Sequence, residues 1–462
     1  MVLIAHGFAG SQQLMQPLAL TLARNGFVAV TFDFPGHGRN PAPLRGGLED
    51  QAQSLQTLLA SMSELGSFAA ALAGDSSRYA VVGHSMASDI VVRHAQAATT
   101  VAATVGISLF APTITADTPP DHPRNLLVIA GALEPGMMAS EALRVIGYAA
   151  GAPAAFDTTY GRFADGTARR ATLAPGAEHI GVLYSAATLG ETLAWLDAAF
   201  GRPPAAAPFI ARRGPWLGLL LLGVLALAWP LARLLPARLS QGSTAVAAPL
   251  RWWRWRGFAP LALGPALLTP LLLWPLPSAF LPLLLGDYLV LHFALYGALT
   301  MIALVWTRRP WPRVAPGRSA ALGVAMLAAA AWALLAVGLP LDRYVFNVAP
   351  EPVRLPLIAA LCAGTLPYFF ADEWLTRGAG AARGAYLATK CCFLGSLVLA
   401  IALNPSRLLF LAIIVPAVLL LFVLYGLFSR WIFHRTHHPA VAALANALAF
   451  GWFIAVTFPL VG

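Results

Sequence analysis

The chain has 462 residues, 58% of them hydrophobic and 11% charged, with a formal net charge of +10. That balance excludes an ordinary soluble protein. The positive charge does not point to nucleic acid either, because many of the arginines stand between apolar runs, as membrane-flanking charges do. Polarity is mixed up to about Arg213, whereas after Trp216 long apolar runs alternate with Arg, Pro and Trp. Two or more domains are expected at this length. Residues 1–202 read as the first, 203–215 as a Pro/Ala-rich linker, and 216–462 as a transmembrane helical domain. Cys362, Cys391 and Cys392 all fall in the apolar half, with neither disulfide nor zinc spacing, and no metal or cofactor is expected.

In chain order, a strand-like run over Met1–Ala5 ends in His6-Gly7-Phe8-Ala9-Gly10-Ser11. A helix is predicted from Leu14 to Ala23, then a buried strand over Phe27–Phe32 that ends in Asp33-Phe34-Pro35-Gly36-His37-Gly38. A helix from Leu48 to Leu72 leads to Ala80-Val81-Val82-Gly83-His84-Ser85-Met86-Ala87-Ser88, an apolar run, a turn of small residues and a helix start. That is the strand–turn–helix setting of a nucleophile elbow, in which a strained turn lifts the serine hydroxyl clear of the sheet. The second small residue is Ala87 where glycine is usual. Strands over Val105–Phe110 and Asn125–Ala130 follow, the latter ending in Gly131-Ala132-Leu133-Glu134-Pro135. A helix is predicted over Ser140–Ala149, a strand over Arg169–Leu173 ending in Glu178-His179-Ile180, and a helix over Ala187–Phe200. Apolar strands alternating with helices predict a parallel sheet covered on both faces.

Taken in order, HGFAGS, DFPGHG, GHSMAS, GALEP and GAEHIG make residues 1 to about 200 resemble an α/β-hydrolase of the dienelactone-hydrolase and serine-esterase type. The resemblance implies Ser85 as nucleophile, His179 as base and then acid, and Glu134 as the carboxylate that orients the imidazole, in the chain order of this fold. Asp117, Asp121 and Asp165 are alternatives to Glu134. The backbone N–H groups of Phe8 and Met86 are the expected oxyanion donors. His6 and His37 are read as structural, His84 as packing beside the pocket, and Asp89 and His94 as helix surface. Measured against that fold, Met1 opens on its third strand, which predicts an exposed sheet edge and a natural chain that starts upstream. About 14 residues between the strands ending at Phe110 and starting at Asn125 leave no room for a cap domain.

Eight apolar runs follow, near 216–235, 258–276, 283–306, 320–339, 355–370, 386–403, 408–428 and 440–460. The expected fold class is therefore an α/β-hydrolase parallel sheet lacking its first strands, followed by an all-α polytopic domain of about eight helices. Trp216, Trp252, Trp253, Trp255, Trp306 and Trp431 fit interfacial belts. With eight spans, one set of loops carries thirteen Arg or Lys residues (Arg238, Arg251, Arg254, Arg256, Arg308, Arg309, Arg313, Arg318, Arg377, Arg383, Lys390, Arg430, Arg435). The other side carries six (Arg202, Arg212, Arg213, Arg343, Arg354, Arg407). That asymmetry places the hydrolase outside the cytoplasm of a bacterial-type inner membrane, which calls for an N-terminal export signal upstream.

Within the apolar half, Asp372-Glu373-Trp374-Leu375-Thr376-Arg377 resembles the E-E-x-x-x-R motif of the CPBP intramembrane proteases, with Asn446 on a late helix and Asn404 in the place of that family's histidine. The plainer reading has Asp372 and Glu373 ending a span in the headgroups, with Arg377 paired to one of them. His434, His437 and His438 read as a membrane-edge loop, and Asp287 and His292 as poorly matched on one helix face. The expected function is a membrane-tethered serine hydrolase acting on a small-molecule or lipid-like ester, thioester or amide at the bilayer. The alternatives are a CPBP-like membrane protein with an accessory hydrolase, and a transport or sensor protein with a non-catalytic one.

Overall fold

The computed structural model describes residues 1–47, 49–73, 78–151, 153–241, 252–277, 279–378 and 381–462. They form two compact units. The first comprises Met1–Leu219 with two short returns of chain, Asp342–Asn347 and Pro459–Gly462; the second comprises Leu220–Leu341 and Val348–Phe458.

The first unit is built on seven strands: β1 (Val2–Ala5), β2 (Ala29–Thr31), β3 (Tyr79–His84), β4 (Val101–Ile107), β5 (Leu126–Gly131), β6 (Thr159–Tyr160) and β7 (Arg169–Ala174). They lie in the order β2-β1-β3-β4-β5-β7-β6, all parallel except the antiparallel pair β6–β7. Helices α1 (Gln16–Arg24), α2 (Gln51–Leu72), α3 (Met86–Ala97), α4 (Gly136–Ala150) and α5 (Ala186–Ala199) cover the sheet. Side-chain alternation divides the core between its faces. Val2 and Ile4 pack with Leu18, Leu22, Leu189 and Leu196 of α1 and α5. Leu3 and Ala5 pack with Leu58, Met62, Ile90 and Val91 of α2 and α3. Each of these side chains larger than alanine contributes about 1.5–3 kcal/mol of burial, so the apolar runs seen in the sequence hold the sheet from both sides.

Some boundaries differ from expectation. The strand expected over Phe27–Phe32 is reduced to the three half-buried residues of β2, an edge paired only to β1 among the named strands. β4 begins at Val101, four residues early, because Ala102, Ala103 and Thr104 carry little apolar signal although all are buried. The two-residue β6 is too short for any periodicity to reveal. His94 is not on a surface: it is 6% exposed and Tyr79 Oη lies 2.6 Å from its Nε2. Asp89 pairs with Arg93 at 2.8 Å.

The second unit is helical: α6 (Gly214–Ala232, entering from the first unit), α7 (Trp252–Leu273), α8 (Gly286–Trp306), α9 (Ser319–Ala331), α10 (Val337–Tyr344), α11 (Leu355–Arg377), α12 (Ala385–Leu403), α13 (Pro405–Leu408), α14 (Leu411–Thr436) and α15 (Pro439–Thr457). Among the described residues, seven helices are long and apolar enough to cross a membrane, α9 and α10 counting as one through a π-turn at Trp332–Ala336. By length and composition this is a membrane protein. The expected eighth span corresponds to α7, whose apolar part, Gly257–Leu273, is shorter and contains Pro260, Pro265 and Pro270. Arg251 and the side chains of Trp252, Trp253, Arg254, Trp255 and Arg256 lie outside the described residues.

The helix expected to end at Phe370 continues to Arg377, which overturns the headgroup reading of its acidic pair. Asp372 is 4% exposed and Glu373 fully buried. Arg354, also fully buried, donates from Nη1 to the Ala455 and Phe458 carbonyls (2.6 and 2.9 Å) at the end of α15, whose last carbonyls lack helical partners. His437 ends α14 in a left-handed conformation, and His438 caps α15 by accepting from the Ala440 N–H (3.2 Å).

Candidate active site

Three loops at the carboxyl ends of β3, β5 and β7 meet at one edge of the sheet, where open α/β sheets place their sites. The first carries Ser85 at φ 54°, ψ −121°, a backbone strained for a residue with a Cβ. Its surroundings impose that turn. The Ser85 N–H donates to the Ile107 carbonyl (2.9 Å), and the Ser88 N–H donates back to the Ser85 carbonyl (2.8 Å). Gly83 leaves no room for a side chain, because an added Cβ would lie 2.4 Å from the Ala87 carbonyl oxygen. Ala87 is itself fully buried, which accounts for a small residue at the second position.

The second loop carries Glu134, whose side chain is 1% exposed. Its Oε2 accepts from the Gly131 N–H (2.6 Å) and from Ser108 Oγ (3.0 Å). Burial alone would raise this carboxyl. The hydrogen bonds from His179, Gly131 and Ser108 outweigh burial and hold it below the usual glutamate range.

The third loop carries His179, 31% exposed. Its Nδ1–H donates to Glu134 Oε1 at 2.5 Å, and its Nε2 faces Ser85 Oγ at 3.0 Å. The structure therefore brings together the three residues that the sequence nominates. It leaves the alternative acids elsewhere: Asp121 pairs with His122 (3.0 Å), Asp165 pairs with Arg162 (2.6 Å), and Asp117 lines a surface cleft with Gln96 and Thr115.

His84 does more than pack. Its Nε2–H donates to the His179 carbonyl (2.9 Å), tying the strand before the serine to the histidine loop. Burial, reinforced by His179 alongside, pushes its pKa down to about 3, so the ring is neutral. His6 accepts the Phe34 N–H at Nε2 (3.1 Å) and bonds the Gly7 carbonyl through Nδ1 (2.8 Å), and His37 bonds the Pro35 carbonyl (3.0 Å); both are structural. Gly7 lies against the serine, since a Cβ there would meet Ser85 Cβ at 2.9 Å. Phe8 follows Gly7 in the chain, and Met86 opens α3 directly after Ser85. Ser108, not singled out from the sequence, is the missed residue. The signal available was a serine at the end of a predicted apolar strand.

Residues 1–145 match the sequence model of the serine aminopeptidase family S33, a hydrolase family. No curated protein matches the chain. Among solved structures, TT1662 from Thermus thermophilus is similar at 15% identity, covering 44% of this chain and 90% of that one, with a TM-score of 0.32. A soluble variant of monoglyceride lipase from Saccharomyces cerevisiae, in complex with a substrate analog, is similar at 14% identity, covering 43% and 86%, with a TM-score of 0.30. The N-terminal unit has the mostly parallel sheet of an α/β-hydrolase-like domain.

Of Asp372, Glu373, Arg377, Asn404 and Asn446 in the helical unit, all but Asn404 lie close together, Glu373 interacting with Arg377, Asp372, Lys390 and Ser429. Asp372 pairs with Lys390 (2.5 Å) and Glu373 with Arg377 (2.8 Å), while Asn446 donates to Ser429 (2.9 Å). Asn404 instead ends α12 and accepts from Ser406 (3.2 Å). No group of His, Cys, Asp and Glu suited to a metal ion occurs among the described residues.

Proposed function

We propose that the chain is a membrane-tethered serine hydrolase that cleaves a carboxylic ester, thioester or amide through an acyl-enzyme. The observation that carries this reading is the unbroken hydrogen-bonded series Ser85–His179–Glu134, at 3.0 and 2.5 Å. His179 Nε2 accepts the proton of the Ser85 hydroxyl as Oγ bonds to the acyl carbon, and then gives it to the departing alcohol, thiol or amine. Water repeats the sequence and frees the acid. Glu134 holds the imidazole in the tautomer whose Nε2 is free to accept, and stabilises its charged form. The N–H groups of Phe8 and Met86 are assigned to the developing oxyanion.

An acyl group with an apolar body suits the surroundings. Phe110, Leu133, Met137 and Ile180 are each more than 40% exposed, and each lies within three residues of Ser108, Glu134 or His179. Chemistry on lipid-like esters delivered from the bilayer follows naturally for a unit continuous with membrane helices. The basic loops favour placing the hydrolase on the non-cytoplasmic side, provided α7 crosses the membrane.

Ser85→Ala in the full chain should abolish both fluorophosphonate labelling and ester turnover, a loss of roughly a million-fold in kcat. Labelling that survives the substitution would move the nucleophile elsewhere.

A further inference from the structure

The helical unit buries far more polar chemistry than a tether requires. Tyr288, His292, Tyr296 and Thr300 recur every fourth residue of α8, so they share one face, and all four are buried. His292 sits between two hydroxyls: Nδ1 is 3.2 Å from Tyr288 Oη, and Nε2 is 3.2 Å from Ser396 Oγ of α12. The ring of Tyr296 follows with its centroid 6.3 Å from that of His292 and its hydroxyl donating to the Ala262 carbonyl (3.3 Å), and the ring of Tyr368 of α11 lies 5.5 Å beyond it. Tyr368 Oη then accepts from Lys390 Nζ at 3.3 Å. Asp372 pairs with that ammonium and also accepts from Thr389 Oγ1 (2.8 Å). A small cavity of about 10 Å³ opens beside Asp372, and its polar side chains (Tyr296, Thr300, Tyr368, Asp372, Thr389) present only oxygen atoms. Such a space offers the room and partners that a water molecule needs.

We propose that the helical unit is a proton-transfer element centred on the Asp372–Lys390 pair and fed along the hydroxyl–imidazole face of α8. A hydroxyl on each side of an imidazole lets a proton arrive at one nitrogen while another leaves from the second. Water bridging this face to the cavity carries the proton to an Asp372 carboxylate oxygen, the ion pair opens and the cluster gains one positive charge, and water takes the proton from Asp372 again as the pair re-forms. The other ionisable groups around the pair are Glu373, Arg377 and Tyr368 on α11, Tyr386 and Cys392 on α12, and Tyr296 on α8.

Lys390 has somewhere to rest when the pair opens. Its Nζ lies 5.0 Å from the ring centroid of Tyr368, 4.6 Å from Tyr386 and 4.8 Å from Phe422, an aromatic enclosure that stabilises a cation by itself. A purely structural role does not need the charges, since a buried ion pair is commonly replaced by apolar residues without loss of stability. Ionisable side chains inside membrane bundles characteristically mark ion and proton paths.

The test uses the full chain reconstituted in vesicles of phosphatidylethanolamine and phosphatidylglycerol, with entrapped pyranine and a valinomycin-set potassium potential. Wild-type vesicles should acidify several-fold faster than protein-free ones. Asp372→Asn and His292→Phe should return the rate to the protein-free level. The double variant Asp372→Asn/Lys390→Met, which leaves no lone buried charge, should do the same while retaining wild-type fluorophosphonate labelling, and so report a folded chain. Wild-type acidification equal to that of protein-free vesicles would overturn the proposal, as would an undiminished rate in the double variant. Either result leaves the serine-hydrolase reading untouched, because that is scored by labelling.

Discussion

Ser85 and His179 are legible in the sequence because each sits in a motif whose spacing to a strand end is fixed by chemistry. Glu134 is less so, since any carboxylate on that loop would fit the same pattern. Only the contacts of its Oε2 with Gly131 and Ser108 single it out. Glu134→Gln should reduce kcat on the order of 10⁴-fold with little change in labelling-competent fold, because the amide can donate to His179 and favour the wrong tautomer. Ser108→Ala removes one hydrogen bond to a charged group, worth about 1.5–3 kcal/mol. Kcat should fall about tenfold, and the acid-side loss of activity in a pH–rate profile should move to higher pH, since Glu134 loses a donor that favours its ionised form.

The buried histidines make a separate prediction. His6, His84 and His94 are all depressed in the folded chain, chiefly by burial, His84 to about 3. A group so depressed lends stability that is complete above its unfolded pKa near 6.5 and is lost as pH falls from there toward the folded value. Labelling retained after a heat challenge should therefore fall steeply between pH 7 and pH 5, and His84→Gln should flatten that slope by about a third.

At the scale of elements, the strands that lead to Ser85 and Glu134 are readable as buried apolar runs, while β6 and the early start of β4 are not. Alanine and threonine carry too little apolar signal to mark a strand that tertiary packing nonetheless buries. The extension of α11 past Phe370 was hidden for a related reason. Charged residues usually end an apolar run, and nothing in the sequence alone reveals that Asp372 and Glu373 meet Lys390 and Arg377 inside the bundle. The charge of Arg354 predicts a loop position, yet the side chain is buried and closes the end of α15. Arg354→Ala should strand those carbonyls and destabilise the helical unit by about 3 kcal/mol. The expected readout is a lower aggregation temperature in detergent, with labelling of Ser85 unchanged at low temperature.

Over the whole molecule, the division into a mixed-polarity half and an apolar half was plain from composition, and the family match over residues 1–145 stays within the first. The number of membrane crossings was not, because α7 reads as a span by hydropathy alone while its three prolines and short apolar stretch set it apart. Sidedness turns on that helix. Single cysteines placed in the 203–212 segment and in the loop after α8, in a chain cleared of Cys362, Cys391 and Cys392, should react with a membrane-impermeant maleimide from opposite sides if α7 crosses, and from the same side if it does not.

One further consequence belongs to the stretch from Ser108 to Asn125, which contains turns but no helix among its residues. Enzymes that shelter their nucleophile under a mobile helix wait for an oil–water boundary to lift it, and their rates jump once substrate clusters. Nothing in this segment can play that part. Turnover of a short-chain ester should therefore rise smoothly through its critical micelle concentration, without a lag and without a break in the saturation curve.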